Sequence, residues 1–326
     1  MKQYETSYVT LDNGNGLVGK FSTLGAGVRS LTLDGKPLIL EFEDEQAYLG
    51  STGFHGKTLA RVAGRIPDTF MIGGKTYSVL GDEQHICLHG GCSESLTYRN
   101  FEAVKEEDEN EVRVIFHYLS KDGEAGFPGN LDTKVTYSMP KDGTNTLKIT
   151  CEAVSDKDTL VSFSNHMYWN VFNSESVNDY VLQVKASKIG TFKPGTLLVV
   201  GMEDVPSCYD FRTPAVLKDK LDQIEKEHPE IGTLDNTYVF DEDEDDPKVI
   251  MDTEDIHLEV STDFDSINFY VDSCLAPYRF TNGEFLTHAL RRAIAIEPET
   301  FPLLSNIVLK AGDKYSHSMS FKIDRK

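Results

Sequence analysis

Positive charge is scarce in this chain. Lysine and arginine total 32 against 53 aspartates and glutamates, a formal net charge of -21 over 326 residues. That balance argues against nucleic acid or an anionic membrane surface as the main partner, because both repel a polyanion. Cysteine is also sparse. Cys87, Cys92, Cys151, Cys208 and Cys274 are odd in number and scattered, which speaks against a disulfide framework and for reduced, mostly buried thiols. No apolar run approaches a membrane span, and Met1 to Leu11 carries no apolar h-region; a cytoplasmic location is the expectation. Gly50, Gly53, Gly56 and Gly64 lack the spacing of a nucleotide loop. The acidic runs Glu106 to Glu111 and Asp241 to Asp246 lack EF-hand glycine spacing and read as solvated loops. Helical signal is nearly absent: Ala215 to Glu227, between Pro214 and Pro229, is the one candidate of any length, and its amphipathic pattern is weak.

Period-two alternation is what the chain has in quantity. Val112, Val114, Phe116 and Tyr118 share one face, as do Val135, Tyr137 and Met139. The same holds for Leu147, Ile149, Cys151 and Ala153, and for Ile256, Leu258 and Val260. Ile267, Phe269 and Val271 repeat it, as do Met319, Phe321 and Ile323. Strands this frequent and half-buried predict an all-β fold of antiparallel sheets packed face to face. Hydrophobic residues make up 39% of the chain, enough for one large core, and a single β-sandwich domain over 1–326 is expected. Asp34-Gly35 and Gly73-Gly74 read as hairpin turns, the first leading into a strand from Pro37 to Phe42.

Several polar residues could carry chemistry. Ser162 to Asn170 reads as a strand with Val161, Phe163, Asn165 and Met167 on one face and Ser162, Ser164, His166 and Tyr168 on the other. His166 is then either a hydrogen-bonded structural histidine or a group presented to a polar cleft. In Arg292 to Pro298, Ala293, Ala295 and Glu297 share a face, and two alanines beside a carboxylate suit a cleft floor. Pro298 should end that ladder. His85, Cys87 and His89 alternate, a pattern that could hold a soft metal, although no second cluster supplies further ligands. Gly90-Gly91 would let backbone approach a ligand beside His89. One of Arg61 and Arg65 could offer a guanidinium to a cleft, and Asp235 precedes the strand at Tyr238 to Phe240.

The order of these pieces carries a resemblance. ARVAGRI (60–66), LHGG (88–91), DGEAGFPGNL (122–131), VTY (135–137), SNHMYWN (164–170), YDFR (209–212), LDNTY (234–238) and IEPETFP (296–302) together resemble the aldose 1-epimerase (galactose mutarotase) family along nearly the whole chain. The resemblance implies the large antiparallel β-sandwich of that family and interconversion of the α and β anomers of a free sugar, without cofactor or metal. It places the catalytic acid on His166 and the catalytic base on Glu297. It assigns Arg65, His89 and Asp235 to the sugar hydroxyls. Opening a hemiacetal removes the proton of the C1 hydroxyl while protonating the ring oxygen, so an ionised Glu297 and a protonated His166 are expected in the productive state. Gly64 and Glu299 stand where the family often has asparagine and glutamine, Ala60 where it often has glycine, and Ser93 to Leu96 follow LHGG where a glycine is expected; these departures bear on sugar preference. Three other readings stay open. They are a hexose-6-phosphate 1-epimerase using Arg291-Arg292 for the phosphate, a non-catalytic sugar-binding protein, and a glycosidase using Asp235 and Glu297 as its carboxylate pair.

Overall fold

The computed structural model describes residues 6–242, 245–272, 278–279, 285–286 and 291–326. Cys274 and part of the Asp241 to Asp246 run lie outside the described residues. Among these residues nine strands form one antiparallel sheet. Their order is Glu102–Glu107, Glu111–Ser120, Leu131–Pro140, Thr146–Ser155, Lys314–Arg325, Ile256–Thr262, Val249–Asp252, Val181–Val184 and Ala215–Val216. A six-stranded sheet runs Tyr168–Trp169, Ile294–Glu299, Ser266–Val271, Asp235–Val239, Lys188–Phe192 and Val199–Asp204.

Alternation explains why these two sheets meet. Val112, Val114, Phe116, Val135, Tyr137, Leu147 and Ile149 from the first are buried in one hydrophobic cluster with Ile267, Phe269, Val271, Ile294 and Ile296 from the second. Each such fully buried aliphatic or aromatic side chain contributes roughly 1.5–3 kcal/mol over leaving it exposed. Ile294 and Ile296 therefore anchor the strand whose opposite face carries Glu297. An N-terminal sheet of Tyr8–Asp12, Leu17–Ser22, Gly27–Leu33 and Lys36–Pro37 adds Leu11, Phe21 and Leu31 to the same cluster. Its last turn has Asp34 at φ 52 and Gly35 at φ 76, the left-handed pair that a two-residue hairpin of the right twist needs.

Several local expectations are overturned. The strand proper is only Lys36–Pro37; the Leu38 N–H still donates to the Leu31 carbonyl at 2.8 Å, and the chain then departs, with the Leu40 N–H donating to the Tyr168 carbonyl at 2.9 Å. In the Glu106 to Glu111 run, Glu106, Glu107 and Glu111 lie on two paired strands and Asp108 caps the exposed tight turn between them, so the run is a solvated hairpin turn rather than a loop throughout. The helix spans Leu217–Glu227, and Leu217, Leu221 and Ile224 are its buried residues. That i, i+4, i+7 stripe is a clear amphipathic pattern, hidden in the sequence by a lysine- and glutamate-rich outer face. A short helix, Glu45–Gly50, is capped by Asp44, whose side chain accepts from the Ala47 N–H. No helix among the described residues is long and apolar enough to cross a membrane. Cys87, Cys151 and Cys208 are buried and unpaired, whereas Cys92 is exposed.

Candidate active site

His166 does not sit on a continuous strand. Ser164–Asn165 pairs with Thr58–Leu59, and Tyr168–Trp169 pairs with the Ile294–Glu299 strand, so the chain changes partners at His166. The cause is local: Asn165 Oδ1 accepts from the Met167 N–H at 3.1 Å, an Asx turn that bends the backbone, while its Nδ2 donates to Tyr137 Oη at 2.8 Å. The alternation of faces nevertheless survives the bend. Phe163, Met167 and Trp169 enter the main core, and the ring of His166 stacks on that of Tyr168 with centroids 4.8 Å apart. Residues 161–171 are buried throughout, not half-buried. The main chain of His166 is held on both sides, its N–H donating to the Lys57 carbonyl at 2.9 Å and its carbonyl accepting from the Gly56 N–H at 2.8 Å.

Glu297 reaches the same pocket from the next strand over. Tyr168 is the register partner of Ala295, so the two short alanine side chains at 293 and 295, packed against Tyr168, leave room above the sheet. Glu297 is 1% exposed. Its Oε1 accepts from Asn268 Nδ2 at 3.2 Å, and its Oε2 stands 3.7 Å from His166 Nε2. Pro298 does not end the ladder, because the strand continues to Glu299 with Pro298 opposite Ile267. Tyr168–Trp169 has ended by then, so no partner on that side misses the absent N–H.

Arg65, His89 and Asp235 line the same cleft as His166 and Glu297, together with Phe54, Tyr168, Thr237, Asn268 and Tyr270. Arg65 and Asp235 form a two-point ion pair, Nη2 to Oδ2 at 2.8 Å and Nη1 to Oδ1 at 3.3 Å. His89 Nδ1 accepts from the Gly64 N–H at 3.1 Å, and the His89 N–H donates to the Gly64 carbonyl at 3.0 Å. With Nδ1 accepting, a neutral His89 carries its proton on Nε2 and is a donor towards the cleft. His85 and Cys87 go elsewhere. His85 and His89 have φ of 62 and 47, which limits the strand to Ile86–Leu88. His85 is exposed and pairs with Asp68, while Cys87 is buried among Val62, Ile66 and Phe127. The three side chains therefore do not share one strand face.

One further expectation is corrected, and contacts distinguish the two arginines offered as alternatives. Gly90 does not bring backbone to a ligand: at φ 76, a Cβ there would lie 2.7 Å from the Ala60 carbonyl oxygen, so the glycine lets two protein segments meet. Arg61 does not face the cleft. It is fully buried, and its guanidinium donates to the carbonyls of Ser120, Lys121, Pro128 and Gly129 and to Ser120 Oγ. It clamps the DGEAGFPGNL loop, and burial pulls its pKa down to about 10. Arg65 is the guanidinium the cleft receives.

Burial sets the charges. Removed from water among Phe54, Tyr168 and His89, the imidazole of His166 has its pKa lowered to about 3, and neutral His89 follows for the same reason. Burial first, then the nearby Glu299 carboxyl, pushes Glu297 well above the usual carboxylate range. In the sugar-free pocket burial thus favours the neutral form of both partners; the ion pair expected above belongs to the productive, sugar-bound state. His89, His166 and Glu297 each bring a ligand-type atom within 4.8 Å of the others. Because Nδ1 of His89 is already engaged and Nε2 carries the proton, the set reads as hydrogen-bonding groups rather than as a metal cradle.

Sequence reasoning passed over Thr237, Asn268, Phe54 and Tyr270. A period-two step from Asp235 reaches Thr237, and the register pairs Thr237 with Asn268 and Asp235 with Tyr270, so one pair was within reach of the pattern. Phe54, at φ 55 in a glycine-rich loop, gave no such signal.

A histidine and a glutamate 3.7 Å apart in one small, partly aromatic cleft of an antiparallel β-sandwich are suited to proton transfer, and the comparisons give the class, an isomerase that acts on carbohydrate. Residues 7–322 match the family model described as Aldose 1-epimerase. The chain is 28% identical to an aldose 1-epimerase of Haemophilus influenzae, with 96% of this chain and 94% of the relative covered. It is also 28% identical to a maltose epimerase of Levilactobacillus brevis, covering 100% and 97%. An aldose epimerase homologue from C. elegans superposes with a TM-score of 0.86 at 26% identity, over 98% of this chain and 99% of that one. The chain belongs to the aldose 1-epimerase family. It interconverts the α and β anomers of an aldose.

Proposed function

We propose that Glu297 and His166 are the general base and general acid of this anomer exchange, and that Arg65, His89 and Asp235 hold the ring hydroxyls of a free aldose. The observation that carries this reading is the 3.7 Å between Glu297 Oε2 and His166 Nε2. The two oxygens that exchange a proton in mutarotation, O1 and the ring oxygen, are bonded to the same carbon, so their catalysts must stand side by side. A carboxyl and an imidazole at this separation can each reach one of them. Ring opening gives the free aldehyde; rotation about C1–C2 and re-closure with the roles exchanged gives the other anomer.

The pair carries one proton whichever member holds it. Burial leaves it on Glu297 in the empty pocket. Sugar hydroxyls donating to the carboxylate, added to the bond from Asn268 Nδ2, favour the ionised carboxylate and move the proton to His166. No proton need enter from solvent. A cleft of about 340 Å³ lies at the small end of the roughly 300–1,000 Å³ of small-ligand pockets, which favours one ring at a time.

The other readings fare less well. Arg291 is bound to Asp222 and Glu225 of the helix, and neither Arg291 nor Arg292 is among the described lining residues. That lining holds one guanidinium and the carboxyl groups of Glu230, Asp235 and Glu297, a poor receptor for phosphate. A glycosidase would need Asp235 free, yet both its oxygens are taken by Arg65. The relatives' names mention maltose as well as aldoses generally, so free galactose, free glucose and the reducing end of a disaccharide are the substrates to compare. We place the protein in the cytoplasm as one domain; the four unpaired described cysteines and the shared core support this.

Exchange NMR on free and 6-phosphorylated aldoses tests the reading. Enhanced anomer exchange for free sugars, lost in Glu297→Gln and His166→Ala, is expected. Binding of sugar without enhanced exchange would leave a non-catalytic sugar-binding protein.

A further inference from the structure

Behind the acid and base lies a second buried carboxyl that the reaction does not use. Glu299 is 1% exposed. Its Oε1 is 3.3 Å from Thr237 Oγ1, and its Oε2 has no hydrogen-bond partner among the described residues. Thr237 Oγ1 is also 3.2 Å from Asn268 Oδ1, and Asn268 Nδ2 is 3.2 Å from Glu297 Oε1. A line of hydrogen-bonding groups thus runs from Glu299 through Thr237 and Asn268 to Glu297. Space for its outer end comes from Gly64, where a Cβ would sit 3.1 Å from Glu299 Oε2.

Counting hydrogens along this line gives its direction. Thr237 has one hydroxyl hydrogen and two acceptors within reach. An ionised Glu299 only accepts, so either it or Asn268 Oδ1 would go without a donor, and Oε2 would be a buried bare charge. A neutral Glu299 donates to Thr237 Oγ1, Thr237 then donates to Asn268 Oδ1, and the Asn268 amide is left pointing its N–H at Glu297. We propose that Glu299 is a positioning residue, held as the neutral acid, that fixes the Asn268 amide onto the general base through Thr237. This rests on the reading of Glu297 as that base.

The surrounding charges favour the neutral form. Arg65 faces Glu299, but Asp235 two strands over, Asp265 ahead of Ser266 and Glu297 on its own strand oppose ionisation. Burial is the largest influence, and together these raise the Glu299 pKa to about 8, against the hydrogen bond from Thr237 and the charge of Arg65. Above that pH the hydroxyl hydrogen of Thr237 turns to the carboxylate, Asn268 loses its donor, and Glu297 loses its oriented amide.

The test is the pH profile of kcat by exchange NMR for the wild type, Glu299→Gln and Glu299→Met. Gln supplies a neutral donor in the same place; Met supplies none. The expected result has three parts: a wild-type kcat that falls with a midpoint of about 8, a Gln variant without that limb, and a Met variant slowed about tenfold, the worth of one hydrogen bond. KM should change far less than kcat. Identical wild-type and Gln profiles would overturn the proposal, as would equal rates for Gln and Met. Should the Met variant fail to fold, a carboxyl ¹³C titration of the wild type decides: ionisation of Glu299 in the ordinary carboxylate range sinks it. Failure of the underlying reading looks different, since Glu297→Gln would then keep its rate whatever Glu299 does.

Discussion

Tyr168 lies opposite Ala295 in the register of two adjacent strands, and this one pairing sets how far His166 is from Glu297, the proposed acid and base. His166 precedes Tyr168 by two residues and Glu297 follows Ala295 by two, so antiparallel running carries both side chains to the same end of the pair, on the same face. The acid–base separation is therefore a property of sheet register. Substituting either residue removes one reaction partner without touching the core. Expected outcomes for Glu297→Gln and His166→Ala are losses of roughly 10²–10⁴ in kcat each, with the unfolding midpoint within a few degrees of wild type. Polarimetry on freshly dissolved α-sugar, beside a thermal melt, checks both.

Asp235 and Arg65 hold each other through two hydrogen bonds. Asp235→Asn keeps the shape but removes the charge that orients the guanidinium. KM is expected to rise about 10–100-fold, the worth of a charged hydrogen bond, with a much smaller fall in kcat. Saturation curves for anomer exchange separate the two.

Lys57 is fully buried, its ammonium 3.6 Å above the Tyr98 ring and without a hydrogen-bond partner among the described residues. Burial first, then Arg29, lowers its pKa from 10.5 to about 6. The unfolded chain binds this proton below 10.5 and the folded chain only below about 6, so the group's contribution to stability is lost as pH falls through that window. Lys57→Met is expected to raise Tm by roughly 2–6 °C near neutral pH, the gain shrinking towards the alkaline end. A melt series across that range reads it; a gain independent of pH contradicts the assignment.

Gly90 has φ 76, and a Cβ there would lie 2.7 Å from the Ala60 carbonyl oxygen. Gly90→Ala should cost about 1–3 kcal/mol of stability and displace the adjacent His89, raising KM. Chemical denaturation and saturation kinetics on the same preparation measure the two effects.

Much of this was legible beforehand because a strand buries alternate residues, and burial leaves its mark on composition. Five strands of the nine-stranded sheet could be read from alternation, as at Val112 to Phe116 or Leu147 to Ala153, whereas Glu102–Glu107, Val181–Val184, Ala215–Val216 and Val249–Asp252 went unread, and Ala215 had been expected in the helix. The candidate site was reached through the order of the motifs, since His166 and Glu297 each had a structural reading on its own strand and only the family resemblance gave them roles. What escaped notice depends on partners distant in sequence. Arg61 and Arg65 look alike in ARVAGRI, and only the carbonyls around Arg61 distinguish clamp from cleft. The bend at His166 comes from a side-chain bond of Asn165, which period-two counting does not see. Glu299 acquires its interest from Thr237 and Gly64, more than 60 and 230 positions away.

The amide of His166 donates to Lys57 while its carbonyl accepts from Gly56, inside a segment with no exposed residue. Deuterium can reach those amides only when the whole domain opens, so their exchange should be among the slowest in the chain. The imidazole of His166 is consequently as immobile as the core beneath it. Its ordering is complete when folding is complete, and each incoming sugar meets an imidazole already in position, with only the proton left to move.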